Sequence, residues 1–529
     1  EFRRVLFRSI SVVSHNVANM NTEGYSKQKV NLAARNIAGT IGNSVDAQIR
    51  SNGGVMISEV MRYNNDYLNN YYRSQLSDLN KYNQQVGDLG NLADIFNDLD
   101  DNGISSALSS FYDALNNLQE YPANSTARTN FIENAKTLTA VLNSKSKQLE
   151  QLKGNDAGDG VSDDALKSSE LYTKIEELNA KLNELAQVNK SLQMTQTGTL
   201  TANNLLDKRD LILNEIAEYV DIDIKEAQNG SVTLYAGGTA LVKGAEVKGE
   251  LTVQTAYQYC IDNGMNYPDD WVDEDGNPRT DLAVVSIINN GTIINKDVNR
   301  NITSGSIGGM LNPSEGMTVA EAQQSLDLIA NEIADMFNTL NKRSGAYHID
   351  PNDTSKLSDS NKVDIFTIAD GGGSTITAGN ISVNPRLYAN DGGWLISAAY
   401  FRDTDNFDVN AVGNAQNVGN SFVDSLGNPV GSFLGTRSEK RSNLNGDSLE
   451  NYYLDFVGKI AAGSSNAQNI ADTQADIVDS LENQIKANNS VNLDEELIDL
   501  VKYQTAYAAS AQVFNVINNC LDTLMSLGR

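Results

Sequence analysis

The chain of 529 residues is long enough for several domains, and its 40% apolar and 20% charged residues are ordinary globular composition. Forty Lys and Arg against 68 Asp and Glu give a net charge of −28, which opposes nucleic acid or an anionic membrane as partner, since both need a basic face. Two cysteines (Cys260, Cys520) and two histidines (His15, His348) give no disulfide framework, no zinc site and no H-E-x-x-H metal motif, and no run of eighteen apolar residues exists to span a membrane.

The opening residues E-F-R-R-V-L-F-R-S are Arg-rich in an Arg-poor chain and lack the apolar core of a signal peptide, so residues 1–9 read as foreign and are set aside. Ile10, Val13 and Val17 then make a short helical stripe. It stops at N-M-N-T-E-G-Y-S, where Asn19, Asn21 and Gly24 suit a helix end and turn. The order H-N-V-A-N-M-N-T-E-G-Y-S-K-Q, 15–28, resembles the amino-terminal signature of the axial proteins of the bacterial flagellum, the rod, hook and hook-associated subunits.

From Gly42 to Met61 a loose alternation (Val45, Ile49, Val55, Ile57) predicts extended chain, and a helix follows from Tyr63 to about Leu99. Tyr67, Tyr71, Tyr72 and Tyr82 on it read as packing tyrosines rather than a ligand box. Asp98, Asp100 and Asn102 copy half of a calcium loop, but Ser109 stands where the bidentate Glu belongs, so no metal site is assigned. The segment 95–128 is instead similar to a helix–loop–helix of the same family. Thr126–Lys153 and Leu166–Gln193 predict long helices, the second with Leu171, Ile175, Leu178, Leu182, Leu185 and Leu192 on one stripe. Segments 202–217, 229–244 and 305–311 again resemble the family.

Asp221–Asn299 carries period-two runs broken by Asn-Gly and Gly-Gly, which predicts a small antiparallel β domain, with Trp271 read as a loop residue packed on the sheet or, alternatively, an exposed ligand platform. A helix is expected from Thr318 to Asn341, with Leu326, Ile329, Ile333, Met336 and Phe337 inward. Ala346–Ser438 reads as a second β insertion, and Leu449, Tyr452, Tyr453, Phe456, Val457 and Ile460 return the chain to helix.

The last forty residues carry the strongest periodicity. Asn492 is a helix cap with Asp494, Glu495 and Glu496 in the first turn, where the helix dipole favours negative charge. Leu497, Leu500, Gln504, Tyr507, Ala511, Phe514, Asn518, Leu521 and Met525 form a heptad seam. That seam needs a partner helix, the alternative being a surface helix laid along its own domain; polar Gln504 and Asn518 suit a partner of fixed register. Ile10–Met20 is the expected intramolecular partner, too short to cover the whole seam.

Together these features predict an α+β, mostly α, elongated multi-domain protein with a long helical bundle, terminal coiled-coil helices and outer antiparallel β insertions. The expected domains are 10–50 with 487–529 (terminal helices), 51–217 with 316–345 and 440–486 (helical body), 218–315 (β domain) and 346–439 (outer β insertion). The resemblance implies a structural subunit at the junction of hook and filament, without enzymatic activity or cofactor. It further implies self-association in a ring and contacts with hook protein and with a second junction protein, hook-associated protein 3. An export chaperone and the flagellar type III route to the outside of the cell are implied with it. Val13, Val17, Asn19, Thr22, Gly24, Tyr25 and the seam residues are the expected subunit interface. A hook- or flagellin-class subunit, or an adhesin carried on the β domains, are the alternatives. Unpartnered, the terminal helices are expected to order only on assembly.

Overall fold

The computed structural model describes residues 2–34, 55–97, 103–156, 166–264, 272, 283–312, 317–358, 362–369, 374–400, 422–430 and 432–527, apart from positions 168, 297, 351, 390–391, 398 and 424–428. Val45, Ile49, the Asp98–Asn102 half-loop and Trp271 lie outside the described residues. The chain divides into two compact units. One comprises 1–84, 162–312 and 470–529; the other comprises 85–161 and 313–469.

In the first unit, α1 (Phe2–Asn19) leads into a hairpin of β1 (Gln28–Ala34) and β2 (Val55–Arg62), paired antiparallel with Val30 opposite Val60. Helix α2 (Asp66–Ile95) begins in this unit. Residues 2–9, set aside on composition, are helical and bury Val5, Leu6 and Ser9. The core lies between a helix pair and two small sheets. Helix α5 (Glu170–Met194) is capped by Ser169, whose side chain accepts from the Tyr172 N–H, and α6 (Leu200–Tyr219) is capped in the same way by Thr199. The predicted leucine stripe of α5 is buried throughout. It packs with Ile212, Leu213 and Ile216 of α6 against the strands.

Those strands are β3 (Asp223–Glu226), β4 (Val232–Ala236), β5 (Thr239–Lys243) and β6 (Glu246–Val247) in sequential order. A second sheet holds β7 (Glu250–Thr255), β8 (Ala283–Asn289) and β9 (Thr292–Asn295). The predicted β domain also holds a helix that alternation hid, α7 (Ala256–Asn263), capped by Thr255 and ended by left-handed Gly264. Segment 305–311, expected to lead into a later helix, is itself a short one, α8 (Gly305–Leu311). Gly305 has φ +80°, and a Cβ there would stand 2.3 Å from the Tyr219 backbone, so only glycine fits.

Helix-borne asparagines tie the strands down. Asn189 on α5 donates to the carbonyls of Val232 (3.0 Å) and Gly244 (2.9 Å) and accepts from the Val232 N–H (3.0 Å); Asn179 treats Leu251 alike. These amides satisfy backbone groups that no strand reaches. Asn189→Ala leaves three buried polar groups unpaired and is expected to lower the stability of this unit by about 1–3 kcal/mol, read as a shift in urea midpoint.

The second unit is built on α3 (Ile104–Glu120), α4 (Ser125–Asp156), α9 (Val319–Lys342) and the first part of α10 (Leu449–Asn489). Helix α9 starts at a capping box, Thr318 with Glu321, and buries the predicted Leu326, Ile329, Ile333, Met336 and Phe337. The centre of its core is aromatic. Phe111 lies 5.0 Å from Phe337 and 5.2 Å from Phe131, and Phe337 stacks on Phe433 at 5.4 Å.

The inner edge of the predicted outer insertion joins this core. β12 (Phe366–Ile368) and β13 (Ile381–Val383) bury Phe366, Ile381 and Val383 there. Asn338 and Asn341 on α9 bind the backbone of 363–366 and 395–397, repeating the device of the first unit. Arg128, 1% exposed, donates to the carbonyls of Pro122, Gly393 and Ile396 and lies 5.0 Å from the Trp394 ring; burial pushes its pKa down to about 9.

Candidate assembly site at the terminal helices

Helix α11 (Leu493–Leu527) starts where expected: the Asn492 side chain accepts from the N–H groups of Asp494 (3.0 Å) and Glu495 (3.4 Å). Glu495 and Glu496, predicted only as first-turn acids, do more. Lys27 reaches Glu495 at 2.8 Å and Glu496 at 3.5 Å, and Asn16 of α1 donates to Glu496 at 3.1 Å. The end of α1 therefore meets the start of α11, and the two helices run antiparallel in contact.

Asn16 is the centre of this junction. Its Nδ2 donates to the Gln28 carbonyl (2.9 Å) and to Glu496, while its Oδ1 accepts from the Tyr25 hydroxyl (2.7 Å) and the Gln28 N–H (3.0 Å). Every hydrogen-bonding position of the amide is filled. Because Tyr25 gives its proton to Asn16, His15 Nδ1 donates to Tyr25 (3.0 Å) and its Nε2 accepts from Asn204 (3.3 Å), which sets the tautomer. Gln28 extends the network to Asn203 and Asn204 on α6. Burial, then Asp207 and Glu496, raise the Tyr25 pKa far above that of a free phenol, so it stays a donor. Burial alone would lower Lys27, but Glu495 and Glu496 outweigh it and hold the ammonium above its ordinary value.

Beneath the signature loop lies an ionic cluster. Asp207 accepts from the Ser26 N–H (3.3 Å) and pairs with Arg62 (2.9 Å); Asp210 pairs with Arg62 (2.7 Å), Arg73 (3.2 Å) and Arg209 (2.8 Å). Burial would raise Asp210, yet Arg209, Arg62 and Arg73 overcome it and hold the carboxyl well below the usual range.

Of the residues read as the interface, Val13 is buried and Val17, Asn19 and Tyr25 are half-buried, all in or beside this junction, while Thr22 and Gly24 are exposed on its loop. Gly24 has φ +72° with Leu211 beneath it, as the turn requires. The seam divides. Leu500, Tyr507 and Ala511 are half-buried; Leu497, Gln504, Phe514, Asn518, Leu521 and Met525 are exposed.

The covered face is Glu496, Leu500, Tyr503, Tyr507, Ser510 and Ala511, rotated from the apolar seam because the Asn16–Glu496 bond sets the phase of α1. Gln504 thus faces solvent and does not fix the register of α1. Eighteen residues of α1 span about 27 Å against about 52 Å for the 35 of α11, so the distal half of α11, from Gln512, has no cover in the single chain. Asn16, Lys27, Gln28, Asn203 and Glu496 were missed by pattern reasoning. Their one signal was polar residues set among apolar helical positions.

Comparison with known proteins accounts for this arrangement. Residues 89–347 match the family described as the flagellar hook-associated protein FlgK helical domain, and residues 489–527, which include all of α11, match the flagellar basal body rod FlgEFG protein C-terminal family. The chain belongs to the flagellar hook-associated proteins. Within that family it is similar to flagellar hook-associated protein 1 of Bacillus subtilis, 25% identical over 98% of this chain and 95% of the relative. Flagellar hook-associated protein 1 of Salmonella typhimurium is 24% identical over 98% and 97%. The flagellar hook junction protein FlgK from Burkholderia pseudomallei shares the fold, with a TM-score of 0.54 at 14% identity, over 80% of this chain and 100% of that one. The Asn16–Glu496 junction is thus where the two ends of a hook-associated chain are fastened together.

Proposed function

We infer that this chain is a structural, non-catalytic component of the bacterial flagellum that connects hook to filament, and that its terminal helices make the connection. One observation carries the mechanism: α11 leaves the Asn16–Glu496 junction with its first half covered by α1 and its second half bare and apolar. A helix with exposed Phe514, Leu521 and Met525 gains by burying that face against neighbouring subunits. The partners we propose are further copies in a ring, hook protein on one side and hook-associated protein 3 on the other, with an export chaperone on the C-terminal region before type III export. The Val13–Tyr25 segment and the seam residues form the subunit interface in this reading, and the two β-containing segments stand apart from it.

Deletion of the gene is the test. Cells lacking it should keep hooks and shed flagellin without filaments, and re-expression should restore filaments; loss of the hooks themselves would instead place the chain among hook subunits.

A further inference from the structure

Four tyrosines at helical spacing on α2 read from sequence as packing residues, and two of them are not. Tyr72 and Tyr82 are half-buried, whereas Tyr67 is 80% exposed and Tyr71 45% exposed. Spaced by four residues, they share one helix face. Just ahead of the helix, Tyr63 and Met61 are exposed as well. Solvated aromatic rings in a row are costly to leave bare and are the residue type that dominates protein–protein contacts.

Charge narrows the occupant. At a net −28, two copies that approach through most of their surface meet like charge. Two exposed apolar stretches escape this. From Tyr63 to Tyr72 the only charged residue is Asp66, and from Tyr503 to Leu521 there is none. The second stretch includes much of the bare half of α11, with Val513, Phe514, Ile517 and Leu521 exposed and Asn515, Asn518 and Asn519 available to tyrosine hydroxyls. Neither stretch resembles the other, so a contact between them uses a different surface on each copy.

We propose that the stripe of Met61, Tyr63, Tyr67 and Tyr71 receives the distal half of α11 from a second copy of this chain. The contact rests on the self-assembly reading above and names its receiving surface. Being heterologous, it propagates from copy to copy rather than closing a two-fold dimer.

Sedimentation of the full chain over a concentration series tests it. Tyr67→Glu places a charge at a solvent-exposed position, so the thermal midpoint should not move while the concentration needed for association rises at least tenfold. Cys520 is exposed and Cys260 buried, which makes cross-linking selective. Tyr67→Cys and Tyr71→Cys, each with native Cys520, should give a disulfide-linked ladder under mild oxidation that Cys520→Ser abolishes. Association unchanged by Tyr67→Glu, with no ladder from either cysteine variant, overturns this surface and leaves self-assembly standing. A wild-type chain that stays monomeric throughout overturns both, and cross-linked dimers without higher rungs overturn the heterologous geometry.

Discussion

Asp210→Ala is expected to destabilise the first unit by about 3–5 kcal/mol, the largest effect of any single substitution considered for this chain. The carboxylate is the shared partner of Arg62, Arg73 and Arg209, whose side chains are 7%, 6% and 3% exposed. Without it three buried guanidinium groups retain only Asp207 and the half-exposed Glu226 as anions. Asp210→Asn preserves volume and should cost nearly as much, which separates lost charge from lost packing.

Acid titration gives an independent check. The folded-state pKa of Asp210 is depressed, so its contribution is complete above the unfolded carboxylate pKa of about 4 and is lost as pH falls below that value towards the folded pKa. Urea midpoints of the wild type should therefore fall between pH 5 and pH 3 by more than those of Asp210→Asn, followed by circular dichroism. Equal acid slopes would show that the cluster is not the source.

The second large effect concerns assembly rather than folding. Phe514→Glu combined with Leu521→Glu should leave the thermal midpoint unchanged, because both side chains are solvated in the single chain, at 54% and 52% exposure. Self-association should nevertheless fall at least a hundredfold, since two carboxylates would be buried in the contact without counter-ions. Tyr507→Glu, on the half covered by α1, makes the contrast: it should loosen the α1–α11 pair itself and raise amide exchange in residues 5–13. If the double variant assembles as well as the wild type, the bare half of α11 is not the assembly surface.

Much of the fold is legible in the sequence because it rests on local rules. The Ser169, Thr199, Thr318 and Asn492 caps and the leucine stripe of α5 follow from which residues can cap a helix or share a face, and neither depends on distant parts of the chain. The signature 15–28 and the C-terminal helix likewise announce a hook-associated chain. Short elements escaped for the opposite reason. The eight residues of α7 between two strands are too few to show a period, and the pairing of Asn189 with Val232 joins residues that no pattern links.

By itself, then, the sequence determined the helices, their inward faces, the small antiparallel sheets and the class of protein. Tertiary structure decided three things. It showed which face of α11 is covered, because periodicity says which residues lie together and not which side finds a neighbour. It showed that Asn16 and Asp210, ordinary polar residues on a helix in one dimension, are the points where five and four other residues converge. It also separated Tyr67 and Tyr71 from the packed tyrosines beside them, a distinction set by where α6 and α10 end and not by spacing.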